Sequence, residues 1–165
     1  MAWAKNGTPV DVTVAQDDMD ITLDNSTKFI VSLYHVIGSG QYFSGHRLDG
    51  TGSGSTAYAW RRSINGAADS TSTSQNNMAH DTGNLTGGEN EFGILYLINV
   101  ATEEKLSISF SVANNAAGAT NAPNRVDGVG KHAQTSTGVT AINVTDVTDT
   151  GQADVNSNHS VIGTD

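Results

Sequence analysis

The chain contains no cysteine, which excludes a disulfide framework and any thiolate metal site and leaves stability to the core. Basic residues are scarce: 8 Lys and Arg stand against 17 Asp and Glu, a formal charge of −9. A nucleic-acid groove is therefore not expected, because phosphate binding needs a clustered basic footprint. No stretch approaches the roughly 18 apolar residues of a membrane span, and Met-Ala-Trp-Ala-Lys lacks the apolar run of a signal peptide. The expected product is made in a cytoplasm without a cleaved signal and does not enter a membrane. Catalytic spacing is missing too. There is no Gly-x-Ser-x-Gly, no His-x-His and no His-Glu-x-x-His, and the histidines at 35, 46, 80, 132 and 159 are scattered. A triad assembled only in space stays open, but the chain is expected not to be an enzyme.

What is present reads as β structure. The 165 residues suit a single domain, 1–165. With 18 Gly, abundant Ser and Thr and only 36% hydrophobic residues, the composition is that of short strands joined by polar turns. The stretch Glu91 to Val112 organises the rest. Phe92, Ile94, Tyr96, Ile98 and Val100 alternate on one face while Leu95 and Leu97 add apolar groups to the other, as in a central strand covered on both sides. After a polar loop, Leu106, Ile108, Phe110 and Val112 alternate with Lys105, Ser107, Ser109 and Ser111, which predicts a partner strand with one wet, serine-bearing face. An antiparallel hairpin follows. Further strands are expected near 8–15, 17–24, 28–37, 42–48, 56–64 and 139–147, with weak pairing at 125–133 and a brief apolar pair, Val161-Ile162, in the tail. Residues 67–90 are nearly free of large apolar groups and are expected as a long polar loop. Such a pattern predicts an all-β antiparallel β-sandwich of jelly-roll type. The polar loop and the two terminal segments are too poor in apolar groups to pack on the core, which predicts that neighbouring copies order them.

Two features could carry binding. Asp154, Asn156 and Asn158 place oxygen ligands at alternate residues and Asp165 falls at the twelfth position, as in an EF-hand loop, so a calcium ion could be held there. His159 stands where that loop needs glycine, and the bland reading is a solvated tail. Trp3, Tyr42, Tyr58 and Trp60 could stack on sugars, although alternation on strands fits core packing as well.

At Tyr58 to Gly66 (YAWRRSING), Glu104 to Phe110 (EKLSISF), Asn121 to Arg125 (NAPNR) and the closing Ile162-Gly163-Thr164-Asp165, the chain resembles uncharacterised structural proteins of marine viruses and phages. The resemblance implies a virion component with a β-sandwich (jelly-roll) fold and carries no catalytic residue across. It implies a capsid decoration, turret or minor capsid subunit whose partners are further copies of itself and other virion proteins. The alternative is a carbohydrate-binding module, with glycans as partners in host-surface adsorption.

Overall fold

A computed structural model describes residues 2–24, 27–49, 56–80, 85, 89–114 and 119–165. The first strands are β1 (Ala4–Lys5), β2 (Val10–Asp11), β3 (Asp18–Thr22), β4 (Phe29–Ser39), β5 (Ser44–Leu48), β6 (Tyr58–Ile64) and β7 (Ser70–Gln75). They are followed by β8 (Met78–Ala79), β9 (Asn90–Ile98), β10 (Lys105–Ala113), β11 (Asn124–His132), β12 (Ala141–Asp146), β13 (Gln152–Ala153) and β14 (Asn158–Thr164). Among the described residues every ladder between them is antiparallel. The architecture is all-β and sandwich-like. A ten-stranded sheet runs β1-β14-β4-β9-β10-β11-β6-β7, with β2 and β13 attached to β14 and β4, and a four-stranded sheet runs β3-β12-β5-β8. The two sheets are unequal in strand number.

The expected hairpin is there: β9 and β10 pair from Ser107↔Leu97 to Ala113↔Glu91. It lies at the centre of the large sheet, with β4 on one side and β11 on the other. Its orientation, however, is the reverse of the expected one. Lys105, Ser107, Ser109 and Ser111 point into the molecule and are buried, whereas Leu106, Ile108, Phe110 and Val112 point outward and are exposed. The small sheet covers only one side of the large one. The core it closes contains Ile21, Leu48, Met78 and Ile142 from the small sheet against Ile30, Tyr58, Leu95, Leu97 and Val161 from the large one. A second cluster unites Met19 and Val144 with Tyr34 and Val36.

Two of the serines fit this interior through a hydrogen bond: Ser111 Oγ donates to the His80 carbonyl at 2.9 Å, and Ser107 Oγ to Met78 Sδ at 3.3 Å. Lys105 Nζ donates to the carbonyls of Glu103 at 2.6 Å and Gln134 at 2.9 Å. Hydrogen-bonded polar groups are tolerated where unpaired ones would not be.

The expected loop at 67–90 is not one loop over its described residues; 81–84 and 86–88 lie outside them. Asn65 and Gly66 both take positive φ, 53° and 74°, and Ala67 N donates to Ile64 O at 2.9 Å, which closes a tight turn that mirror-image turn chemistry favours. The chain returns as β7, an edge strand held to β6 by backbone hydrogen bonds that need no apolar side chains, and then supplies β8 with the fully buried Met78. The termini are likewise ordered within the chain. β14, expected as a brief apolar pair, is a seven-residue strand between β1 and β4 with His159 and Val161 buried. β11, expected to pair weakly, pairs over its length with β10 on one side and with β6 on the other.

Candidate functional site

The outward face of the central hairpin is the feature that the molecule's own packing leaves unexplained. Registered neighbours in an antiparallel ladder project to the same side, so Phe92/Val112, Ile94/Phe110 and Tyr96/Ile108 form adjacent apolar pairs. Ile98 and Leu106 extend the block at one end, Phe29 adjoins it from β4 and Val129 from β11. Phe29, Phe92, Tyr96, Ile98, Leu106, Ile108, Phe110, Val112 and Val129 are each 41–53% exposed. With aromatics presenting about 150–250 Å² each and aliphatics somewhat less, these nine leave on the order of 800 Å² of apolar surface in water. Monomeric proteins rarely exceed about 300–600 Å² in one patch.

The face is not flat. At its Ile98/Leu106 end a depression of about 990 Å³ is lined by Trp3, Phe29, Tyr96, Ile98, Leu106, Ile108 and Val129, with Trp60, Arg61, Thr71, Thr73 and Lys131 toward one side. Phe92, Phe110 and Val112, at the other end of the same two strands, lie outside it. Among the described residues three ion pairs border the block: Arg61–Asp69 at 3.6 Å, Arg125–Asp127 at 3.0 Å and Lys131–Glu104 at 2.9 Å. Within these pairs cations and carboxylates balance, although the whole chain is strongly acidic.

Between the sheets lies a second constellation, polar and closed. Ser32 Oγ meets His46 Nε2 at 3.0 Å and His159 Nε2 at 2.8 Å, and His159 Nδ1 donates to the Met19 carbonyl at 2.8 Å. The His46 and His80 rings stand edge to face at 4.8 Å. Tyr34 donates to Glu91 Oε1 at 2.7 Å, and Ser44 Oγ donates to the same oxygen. Burial holds all three imidazoles neutral. It lowers His80 to about 3, helped by the charge of Arg62, and His159 to about 4 against the Met19 hydrogen bond, and it drives His46 well below the usual histidine range. A serine between two imidazoles has the elements of a nucleophile and base. Ser32, His46 and His159 are all completely covered, so no substrate reaches them in this conformation.

The proposed calcium ligands do not converge. Asp154 Oδ1 accepts from the backbone of Val155, Asn156 occupies a turn with φ 73°, and Asn158 opens β14. Asp165 follows the far end of that extended strand, about 20 Å away at ~3.3 Å per residue. An EF-hand loop must curl, and a strand cannot. Among the described residues no group of three or more His, Cys, Asp or Glu is placed to hold a metal ion. Of the four aromatics considered for sugar stacking, Tyr42 and Tyr58 are core, with Tyr58 Oη hydrogen-bonded to Leu48 N at 2.6 Å, and Trp60 is half-buried under Arg62 at 4.8 Å. Trp3 alone is well exposed.

The residues of the apolar face were visible in the sequence as an alternating set; only their direction was not. Glu91 and the histidine cluster carried a weaker signal. Glu91 shares its alternation with Gly93, Leu95 and Leu97, which marks it as inward, whereas His46, His80 and His159 come together only through three separate strands and loops.

No protein-family model matches this chain, and no curated protein sequence does. Among solved structures it is similar to the CBM2 module of the evolved Dit of Lactobacillus casei BL23 phage J-1, with 9% identity and a TM-score of 0.19 over 95% of this chain and 76% of that one. A likeness of that strength carries no argument about function.

Proposed function

We propose that this protein is a non-enzymatic structural subunit of a virion, a capsid decoration, turret or minor capsid component, that works by self-association and by docking on other virion proteins. The outward apolar face carries the reading. Leaving on the order of 800 Å² of apolar surface in water costs free energy at about 25 cal/mol per Å², and assembly removes that cost. Ser, Thr and Asn elsewhere on the surface suit wet lattice contacts, and the sequence resemblance to structural proteins of marine viruses points the same way. Immunogold labelling of native particles with antibody to this chain tests it: regular labelling at fixed positions is expected, and unlabelled intact particles overturn it.

A second reading has one observation in its favour. Trp3 and Tyr96 are exposed beside a depression that also presents Arg61, Thr71, Thr73 and Lys131, and aromatic platforms next to hydrogen-bonding groups suit sugars. A carbohydrate-binding module for adsorption to a host surface would give signal on a glycan array that Trp3→Ala abolishes.

A further inference from the structure

We infer that the apolar face of the β9–β10 hairpin is the seat of a second copy of this chain, packed sheet against sheet about a twofold axis. The inference rests on the self-association reading above and specifies its partner and geometry.

Three observations select a second copy. The first is area: on the order of 800 Å² per partner is what a standard stable interface buries. The second is shape. One end of the face carries the depression between Ile98 and Leu106, and the other end carries the exposed rings of Phe92 and Phe110. Knob and hole thus lie on one surface, about 15–20 Å apart along the same strands. A twofold axis lying between the sheets and perpendicular to the strands reverses strand direction, so each copy's Phe92/Phe110 end enters the other's Ile98/Leu106 depression. That is an isologous contact, in which a residue's partner on one copy is repeated in reverse on the other. Twisted sheets pack face to face with their strands nearly aligned, as this arrangement requires.

The third observation is charge. Two chains of net charge −9 repel, yet the pairs Arg61–Asp69, Arg125–Asp127 and Lys131–Glu104 leave the border of this face balanced. Two copies can therefore approach here without opposing like charges. A basic partner, the natural complement of an acidic protein, would find no excess of carboxylate among these described pairs to attract it.

Sedimentation equilibrium on the full chain tests the inference. A dimer is expected, and Phe110→Lys should raise its dissociation constant at least about 30-fold, as loss of a central buried anchor does. Circular dichroism should stay unchanged, because Phe110 is outward-facing in the single chain. Ile108→Lys, near the middle of the block, gives the same readout should Phe110→Lys fold poorly. Since the chain has no cysteine, single cysteines report the geometry: oxidised mixtures of Phe110→Cys and Leu106→Cys copies should form a linked heterodimer, and neither variant alone should link. A dimer that survives both lysine variants places self-association on another surface and overturns the inference, while leaving the virion reading standing. Links within Phe110→Cys alone overturn the twofold arrangement. A chain that stays monomeric at high concentration also overturns it; if native particles are nevertheless labelled, the face belongs to a different virion protein and the virion reading survives.

Discussion

Gly93 sits in the most apolar strand of the chain, and its lack of a side chain is what lets the Tyr34 ring lie against β9. A Cβ at this position would overlap that ring, which is fully enclosed and anchored through its hydroxyl to Glu91 at 2.7 Å. A locked ring cannot swing aside as an exposed lysine could. Gly93→Ala is therefore expected to cost about 1–3 kcal/mol, the range for overpacking a filled core. Differential scanning calorimetry should show a melting point lower by several degrees, at about 2–4 °C per kcal/mol for a chain of this size. A glycine in a strand usually reads as a weakness or a bulge, and nothing adjacent to Gly93 in sequence shows that Tyr34 occupies its place.

On the scale of elements, the β9–β10 hairpin separates what alternation determines from what it leaves open. Period two assigns Leu106, Ile108, Phe110 and Val112 to one face without saying which side the second sheet covers. Truncation distinguishes the sides. Leu95→Ala empties a fully buried position and is expected to cost about 2–5 kcal/mol. Phe110→Ala, on the outer face, should change the stability of the single chain by no more than about 1 kcal/mol. Urea titrations in dilute solution compare the two directly, and a larger loss for Phe110 would mean that the outer face is covered within the chain. β14 shows the same limit from another direction. Spacing suggested a loop around calcium, but His159 is drawn into the interior by Ser32 and the Met19 carbonyl, which extends the chain and carries Asp165 away from Asp154, Asn156 and Asn158. Millimolar calcium is accordingly expected to leave the melting temperature unchanged in calorimetry; a rise of several degrees would restore the site.

At the scale of the whole molecule, three neutral imidazoles from β5, β14 and the segment after β8 share the interior between the sheets. The folded values, about 3 for His80 and about 4 for His159 with His46 also lowered, lie below the unfolded value near 6.5. The unfolded chain therefore takes up protons first as the solution is acidified. Stability is at its full value above pH 6.5 and falls from there toward pH 4, by up to about 1.4 kcal/mol per pH unit for each histidine. Unfolding free energies from guanidinium titrations at pH 7.5 and pH 5 should differ by several kcal/mol. A His80→Phe variant should show a shallower slope; an unchanged slope would mean that His80 already titrates normally in the fold.

The sequence by itself determined the all-β class, most strand positions, the antiparallel hairpin and the Asn65-Gly66 reversal, because period-two patterning, β-branched content and turn chemistry are local properties that each segment carries alone. Tertiary structure decided the remainder: which face of the large sheet is roofed by β3-β12-β5-β8, which serines and histidines become interior, and that the polar run after Gly66 adds β7 to the large sheet and β8 to the small one. Burial is a relation between segments far apart in sequence. A strand with leucines on one side and hydrogen-bonding serines on the other can turn either way, and the side that receives the second sheet settles it.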